Sequence, residues 1–252
     1  MESLGIIIQA RMKSTRLPGK ILSPFYDDKT LLEFVLDRLS QVQNVKIIVA
    51  TSVDPSNDAL ECFLNDRNIC VFRGDENDVL DRFIKAAEAN ELGGMIRLCS
   101  DNPFLDVDGI MSLVKAARKD PSVDYIGFRI NGKPSILTHF GFWGEYVSLK
   151  ALKKVREITN EKPAHEHVTY YVYQHEDIFK CKWLKAPSIL EGRNDIRLTI
   201  DTLEDLENAR ALHSSLLASV GNYNLKDIVD YLDAHSELTD SMVRIIDENR
   251  KN

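Results

Sequence analysis

The sequence predicts an α/β fold in which a mainly parallel sheet is flanked by helices. Short apolar runs alternate with segments of helical periodicity throughout the first half of the chain. The runs are too short to be helices, and the intervening segments are long enough to cross over a sheet. The 252 residues, 44% hydrophobic and 28% charged, fit one large globular domain. This alternation is typical of right-handed βαβ units.

Four strand–helix units are predicted in the first half. Runs of branched apolar residues predict strands at 4–8, 45–50, 69–72 and 95–99. Apolar residues spaced three or four apart predict helices at 31–42, 58–65, 78–90 and 109–118.

The second half is less regular. We predict strands at 124–128, 136–143, 178–184 and 196–200, helices at 146–157 and 164–174, and a mainly helical end to the chain. The turn-forming residues at 131–134 predict that a smaller sub-region, about 131–185, is inserted into a single domain that covers 1–252.

Bulk properties exclude several function classes. The net charge of −7 and the pI of about 5.4 argue against a nucleic-acid binder, which needs a basic surface. The apolar runs are shorter than the roughly 20 residues that span a membrane. Four cysteines without a CxxC pair favour reduced thiols and a cytoplasmic protein.

Polar residues follow five of the predicted strands. They are Gln9 and Arg11, with Ala10 between them, then Ser52, then Arg73, then Ser100 and Asp101, and finally Asp201. In open α/β sheets, ligands bind outside the carboxyl ends of the strands. These loops therefore predict a binding site at that edge.

The first of these loops, "QARMKSTRLPGK", carries four cations: Arg11, Lys13, Arg16 and Lys20. It lacks the glycines of a GxxxxGK[ST] or GxGxxG loop, because Ser14 stands at the required early position and Ile21 follows Lys20. Side chains rather than backbone amides would then have to bind phosphate, which arginine forks and lysine ammonium groups do well. The alternative is a solvated basic loop.

The segment "ARMKSTRLPGK" is very similar to the A-R-x-x-S-T-R-L-P-G-K loop of the cytidylyltransferases that make CMP-sugars. The likeness is greatest to the spore-coat polysaccharide F type and to the CMP-Kdo and acylneuraminate synthetases. Five further segments resemble that family in the same order: "VATS", "VFRGDENDVLDRF", "RLCSDNPFLD", "EHVTYYVY" and "RLTIDTLEDLENAR". The resemblance covers about residues 4–213.

The resemblance implies a Rossmann-like fold of the nucleotide-diphospho-sugar transferase type, with an insertion used for dimerisation and for the acceptor. It implies transfer of CMP from CTP to a sugar acid or related glycan precursor, with Mg²⁺ as cofactor, release of pyrophosphate and a homodimer. CTP and a small sugar-like acceptor would be the partners, in the biosynthesis of surface polysaccharides.

The family pattern also assigns residues. Arg16, Lys20 and Asp101 would be catalytic, with the two cations on the β- and γ-phosphates, and Asp101 and Asp201 would hold the metal. The nucleotide-binding set would be Gln9, Ala10, Arg11, Lys13, Ser14, Arg16, Lys20, Ser52, Arg73, Ser100 and Asp101. Ser100 departs from the pattern, since close relatives have glycine there. On the residues alone, Asp201 could equally cap the following helix.

The acceptor side is predicted at His139, Glu166, His167 and Tyr170, although His139 could equally pack in the core. Asp106 and Asp108 form the D-x-D pair seen in many glycosyltransferases, and helix capping is their alternative role. His165 and His167 point to different faces of a helix, which argues against a zinc site. Asp78 and Asp81 are expected to be solvated or paired with Arg82. A glycosyltransferase and a catalytically silent nucleotide-binding regulator remain alternative functions.

Overall fold

The computed structural model describes residues 3–250, with side chains up to residue 248. The strands in this range are β1 (Ser3–Gln9), β2 (Pro24–Tyr26), β3 (Lys29–Thr30), β4 (Lys46–Ser52), β5 (Cys70–Gly74), β6 (Leu92–Cys99), β7 (Tyr125–Ile130), β8 (Lys133–Pro134), β9 (Glu145–Ser148) and β10 (Cys181–Lys185). Eight of them form one sheet in the order β10-β7-β9-β6-β1-β4-β5, with β8 paired to β7. Strands β2 and β3 form a separate hairpin.

The sheet is mainly parallel. Strand β1 lies near its centre and pairs in parallel with β4 and β6, so that Ile7 stands beside Ile48 and Arg97. Two strands are exceptions: β9 runs antiparallel between β6 and β7, and the short β8 pairs antiparallel with β7. This reversal places the first residue of β9, Glu145, beside Arg97 near the carboxyl end of β6.

Helices cover both faces of the sheet. They are α1 (Leu31–Leu39), α2 (Asp58–Asn65), α3 (Val79–Ala89), α4 (Val107–Lys119), α5 (Leu149–Ile158), α6 (Lys162–Glu166), α7 (Tyr170–Gln174), α8 (Leu203–Val220), α9 (Leu225–Ala234) and α10 (Ser236–Arg250). Helices α1, α2, α4, α8 and α9 pack in one hydrophobic core, and α3, α5, α6 and α7 in a second core. Ile6 and Ile8 lie in the first core and Ile7 in the second, as the alternation of a strand requires. The α/β class with a mainly parallel sheet is therefore confirmed.

The four strand–helix units of the first half are confirmed, with boundaries shifted by a few residues. Two predicted strands are wrong. Residues 136–143 contain the end of a 3-10 turn (Ser135–Leu137) and then a segment without regular secondary structure, in which Gly141 has a φ of +65°, and residues 196–200 form no strand. These two segments bond to each other instead, through Leu198 N and the carbonyl oxygen of His139 at 2.8 Å. The hydrophobic pattern of these segments did not reveal that they bond to each other and not to the sheet.

Two predicted helices are also wrong in extent. The prediction at 146–157 starts too early, because Glu145–Ser148 is strand β9 and the helix begins only after Ser148, whose side chain accepts from Ala151 N at 3.0 Å. The prediction at 164–174 is broken into α6 and α7. None of the helices in residues 3–250 has the length and apolar character needed to cross a bilayer. All four cysteines are free, and Cys62 is exposed, whereas the other three are half-buried.

Candidate active site

The basic loop folds back over the carboxyl end of β1. Gly19 adopts a φ of +72°, a left-handed conformation that glycine accepts without strain, and its N–H donates to the carbonyl of Met12 at 2.9 Å. The N–H of Met12 in turn donates to Oδ1 of Asn57 at 2.9 Å. The loop is thus closed at its base, and Lys20, the next residue, is buried.

Main-chain hydrogen bonds bring Asp101 and Asp201 to the same place. The N–H of Ser100 donates to the carbonyl of Gln9 at 3.2 Å, which continues the β1–β6 pairing past the strand end. The N–H of Ile200 donates to the carbonyl of Asp101 at 3.0 Å. Asp201 does not cap α8, because Thr202 occupies that position and accepts from Asp205 N. Its carboxylate is therefore available to the site.

Two cations of the loop contact these carboxylates. Lys20 Nζ lies 2.7 Å from Asp101 Oδ2 and 3.6 Å from Asp201 Oδ1, and it also donates to the carbonyl of Ile200. Arg16 Nη2 lies 2.9 Å from Asp201 Oδ1. The structure thus joins the N-terminal loop, Asp101 and Asp201, which lie far apart in the sequence, in one ionic cluster. The Lys20 side chain is only 9% exposed, whereas that of Arg16 is 48% exposed.

A buried arginine that the sequence analysis did not single out holds Asp201 from behind. Arg197 Nη2 lies 2.9 Å from Asp201 Oδ2, and the same guanidinium binds both oxygens of Asp205, at 2.7 and 3.0 Å. Burial opposes ionisation of Asp205, but its hydrogen bonds and charge contact with Arg197 lower its pKa overall. Arg197 stands in the quoted "RLTIDTLED" segment, so the signal was present, but nothing in the sequence shows that its side chain is buried.

The cluster borders a cavity of about 180 Å³, which we call the polar cavity. Its lining contains eight of the predicted site residues: Gln9, Arg11, Ser14, Arg16, Lys20, Ser100, Asp101 and Asp201, together with Thr15, Ile21 and Cys99. Burial raises the pKa of the Cys99 thiol, which keeps this group neutral. The cavity therefore has a cationic side formed by the loop and an anionic side formed by two carboxylates.

A second buried ion pair orients Gln9. Arg97 Nη2 donates to Gln9 Oε1 at 3.2 Å, and Arg97 Nη1 donates to Glu145 Oε2, also at 3.2 Å. Glu145 is 1% exposed and also accepts hydrogen bonds from Tyr125 and Thr169. Because the oxygen of Gln9 is engaged, its amide nitrogen remains to face a ligand. Sequence reasoning missed Arg97 and Glu145, because their pairing depends on the reversed strand β9.

Four other predicted nucleotide-binding residues lie outside the lining of the polar cavity. Ala10 is buried and donates its N–H to Ala50. Lys13 is exposed and pairs with Asp54 at 2.6 Å. Ser52 is buried, and its hydroxyl accepts from Asn57 at 2.8 Å.

Arg73 lies on β5, at the edge of the sheet. It pairs with Asp58 at 2.8 Å and with Glu61 at 2.5 Å. Nucleotide contact by Ala10, Lys13, Ser52 and Arg73 stays a prediction.

A second cavity, of about 170 Å³, shares Cys99, Asp101 and Asp201 with the first. We call it the aromatic cavity. Its other lining residues are Asn102, Ser135, Ile136, Thr138, Phe140, Gly141, Phe142, Trp143 and Thr199. Most of these come from the segment 136–143, which the sequence predicted as a strand.

Asp106 fixes one wall of the aromatic cavity and does not cap a helix. It stands before α4 without a side-chain capping bond, and its Oδ2 accepts from Trp143 Nε1 at 2.8 Å. Trp143 stacks on Phe128 with ring centroids 4.4 Å apart. Asp108 is exposed in the first turn of α4 and borders another hollow together with Asp106. The D-x-D pair is therefore not part of the ionic cluster.

The predicted acceptor residues are dispersed. His139 Nδ1 lies 2.9 Å from Arg197 Nη1, which links this histidine to the ionic cluster. Glu166, His167 and Tyr170 are exposed at α6, at α7 and between these helices, and none of them lines either cavity. An acceptor role for these three residues stays a prediction.

Two expectations about neighbouring carboxylates are wrong. Asp78 caps α3 and pairs with His165 at 2.8 Å. Asp81 pairs with Lys85 and Arg156, whereas Arg82 donates to a main-chain carbonyl.

Within the described part of the chain no group of three or more His, Cys, Asp or Glu side chains is arranged to hold a metal. Two carboxylates beside a phosphate site are nevertheless sufficient for Mg²⁺, which completes its shell with phosphate oxygens and water. Asp101 and Asp201 fit that requirement.

Comparison with known proteins assigns the family. A sequence profile of the family described as cytidylyltransferase matches residues 5–232. The chain belongs to the cytidylyltransferase family. This cytidylyltransferase is 36% identical, over 219 residues, to the spore coat polysaccharide biosynthesis protein SpsF of Bacillus subtilis, a match that covers 84% of this chain and 87% of that protein.

Solved structures agree with this assignment. A cytidylyltransferase from Leptospira borgpetersenii superposes with a TM-score of 0.80 at 28% identity, covering 95% of this chain and 97% of the other. A CMP:2-keto-3-deoxy-manno-octonic acid synthetase complexed with CTP shares the fold, with a TM-score of 0.63 at 18% identity over 84% of this chain and 99% of the other. The protein is a nucleotidyltransferase, and its expected family and fold are confirmed.

Proposed function

We propose that this cytidylyltransferase transfers CMP from CTP to a sugar acid or related glycan precursor, in a magnesium-dependent reaction of surface-polysaccharide biosynthesis. The observation that carries the proposal is the ionic cluster in which Arg16 and Lys20 meet Asp101 and Asp201 beside the polar cavity. Nucleotidyl transfer needs in-line positioning and neutralisation of phosphate charge more than covalent help from the protein. The cluster offers groups of both signs for this purpose.

In the proposed reaction an acceptor oxygen attacks the α-phosphorus of CTP. The bond from that phosphorus to the bridging oxygen of the β-phosphate breaks, and pyrophosphate leaves with the bond electrons. Arg16 and Lys20 would bind the β- and γ-phosphates and stabilise the charge that develops on them. The acceptor hydroxyl loses its proton to solvent or to a neighbouring carboxylate.

CTP binding would exchange the partners of the cluster. Before the nucleotide arrives, the carboxylates of Asp101 and Asp201 are neutralised by Lys20 and Arg16. Phosphate oxygens would compete for these two cations and leave the carboxylates free to hold Mg²⁺. When bound, the metal would supply neutralisation of phosphate charge and orientation of the triphosphate. Arg197 would keep Asp201 in place throughout, because it is buried and also anchored by Asp205.

Replacement of Asp101 by Asn tests the proposal. The variant keeps the size of the side chain but removes the charge, so we expect pyrophosphate release from CTP to be abolished while circular dichroism shows that the fold is intact. Asp37→Asn is the matched control, because Asp37 is 55% exposed on α1 and pairs with the surface residue Lys29. Turnover by Asp101→Asn at the wild-type rate would contradict the assignment.

A thermal-shift series with CTP, UTP, GTP and ATP tests the base. We expect CTP with Mg²⁺ to raise the melting temperature most, since a ligand that binds only the folded state stabilises it. Binding of CTP without release of pyrophosphate for any acceptor would instead favour a silent nucleotide-binding regulator.

The predicted homodimer, with residues 131–185 as its dimerisation and acceptor region, is tested by light scattering on the same sample.

A further inference from the structure

The side-chain amide of Gln9 can be oriented in only one way. Its outer end lies 3.2 Å from Arg97 Nη2. A guanidinium carries donors and no acceptor, so the atom of Gln9 that it contacts must be the amide oxygen. The amide nitrogen is then the other branch of the group, and it donates to none of the residues that the structure describes.

A buried network holds this orientation. Arg97 Nη1 donates to Glu145 Oε2 at 3.2 Å, and both residues are buried. Glu145 also accepts from Thr169 Oγ1 at 2.8 Å and from the hydroxyl of Tyr125. The carboxylate is therefore fixed by its own partners and neutralises the guanidinium. Because breaking a buried ion pair is costly, Arg97 stays in place and keeps the oxygen of Gln9 engaged.

The free nitrogen of Gln9 is open to the polar cavity. Gln9 is half-buried and lines this cavity. The Nε atom of Arg97 is buried without a partner, whereas the nitrogen of Gln9 is not among the buried unpaired atoms of the described residues. A ligand in the polar cavity can therefore accept a hydrogen bond from Gln9.

The amide lies on the side of the cavity where Asp101 stands. Gln9 is beside Cys99 of β6 in the parallel register, and its carbonyl accepts from the N–H of Ser100 at 3.2 Å. The bond to Arg97, which is also on β6, draws the side chain toward β6 and away from β4 on its other side. The nitrogen of Gln9 is thus placed next to the strand that leads into Asp101.

We infer that Gln9 Nε2 donates to a non-bridging oxygen of the α-phosphate of CTP, and that Arg97 and Glu145 are positioning residues for this bond. The inference rests on the proposed function, in which Arg16 and Lys20 bind the β- and γ-phosphates and the reacting phosphorus lies beside Asp101. A donor that is fixed before the substrate arrives stabilises charge on that phosphate without reorganisation. Pyrophosphate, which lacks the α-phosphate, does not use Gln9.

Two substitutions of Gln9 test the contact by calorimetry in the presence of Mg²⁺. Gln9→Leu removes the donor and should raise the Kd of CTP about 10- to 100-fold, as expected for a hydrogen bond to a charged group, and leave the Kd of pyrophosphate within about twofold of wild type. Gln9→Glu keeps an oxygen for Arg97 but turns a carboxylate oxygen toward the phosphate, so it should weaken CTP more than Gln9→Leu does. Gln43→Glu adds the same charge at an exposed position and is the matched control.

Phosphorus NMR of bound CTP locates the contact along the triphosphate. The α-phosphorus resonance should move between wild type and Gln9→Leu, whereas the β and γ resonances should stay in place. A change confined to the β or γ resonance would overturn the inference.

The positioning role of Arg97 is tested in two backgrounds. Arg97→Lys keeps a positive charge beside Glu145 but loses the fork that holds Glu145 and Gln9 together, so the Kd of CTP should rise roughly 3- to 10-fold. In the Gln9→Leu background the same substitution should add less than about twofold, because a positioning residue acts only through the residue that it holds. A purely structural role would give the full factor in both backgrounds and would overturn this part of the inference.

The possible outcomes separate this inference from the proposed function. Equal weakening of CTP and pyrophosphate by Gln9→Leu would overturn the inference, and so would an unchanged Kd of CTP. In both cases the wild-type enzyme still binds CTP, and the proposed function stands. A wild-type enzyme that does not bind CTP contradicts the proposed function itself, and the inference falls with it.

Discussion

Removal of Asp205 should destabilise the fold far more than removal of an exposed carboxylate. The side chains of Arg197 and Asp205 are 1% and 3% exposed, and two hydrogen bonds of 2.7 and 3.0 Å join them. Asp205→Ala leaves a buried guanidinium short of a counter-charge, which costs about 3–5 kcal/mol. Asp201 still contacts Arg197 at 2.9 Å, so we place the loss at the low end, about 3 kcal/mol.

Urea denaturation and thermal melting measure this loss. For a chain of this size, about 3 kcal/mol corresponds to a fall in Tm of roughly 6–12 °C. Asp58→Ala is the matched control, because Asp58 pairs with Arg73 at 2.8 Å but is 62% exposed, and an exposed pair contributes at most about 1 kcal/mol. A loss for Asp205→Ala no larger than that of the control would refute the reasoning.

The pH dependence of the same difference gives a second check. The folded-state pKa of Asp205 is lowered, so its stabilising contribution is present above the unfolded pKa of about 4 and is lost as the pH falls through the folded value. The gap in unfolding free energy between wild type and Asp205→Ala should therefore shrink in acid. A difference in unfolding free energy that becomes larger below pH 4 would contradict the conclusion that the ion pair of Asp205 stabilises the fold.

Three further predictions concern buried polar groups. Burial and a neighbouring guanidinium lower the pKa of His213 in the folded protein to about 4. As the pH decreases from about 6.5 to 4, His213 is protonated in the unfolded chain but not in the folded protein, so the free energy of unfolding should fall. His213→Gln should remove this part of the acid sensitivity, measured by urea denaturation at pH 7.5 and 5. Asp106→Ala should shift the fluorescence emission of Trp143 and cost about 1–3 kcal/mol, because the indole N–H loses an ionised partner. Glu145→Gln should lower the melting temperature by several degrees, because it removes the charge that compensates buried Arg97.

Two of these predictions have a control on the surface, and the fluorescence measurement has a background variant. His167→Gln replaces an exposed histidine and should leave the pH profile unchanged. Trp183→Phe serves as the background for the fluorescence measurement, since the chain has only two tryptophans. Glu88→Gln removes a carboxylate that is 42% exposed and pairs with Lys153, so it should scarcely alter the melting temperature. Equal effects of a variant and its control would count against the corresponding prediction.

The first half of the fold was predictable because its signals are local. Strands such as β1 are runs of buried branched residues, and their helices show a clear apolar face, so both follow from neighbouring residues. The second half depends on partners distant in the sequence. The four residues of β9 are too short for a periodic signal, and only the sheet makes them a strand.

The candidate site also contains some residues that the sequence predicted and others that depend on partners distant in the sequence. The cationic loop and both aspartates were found by position at predicted strand ends and by resemblance. Arg197 and Glu145 were missed because a charged residue is expected to be exposed when its partner is not known from the sequence. The aromatic cavity was missed because its wall was read as a strand.

The hydrogen bond from Ile200 to the carbonyl of Asp101 has a consequence for biosynthesis of the chain. The N-terminal segments emerge from the ribosome first, yet the last carboxylate of the cluster is translated some hundred residues after Asp101. A nascent chain that stops before residue 200 holds the lysine and the first aspartate without their counterpart. Any affinity for nucleotide that depends on this cluster should therefore arise only after Asp201 has been translated.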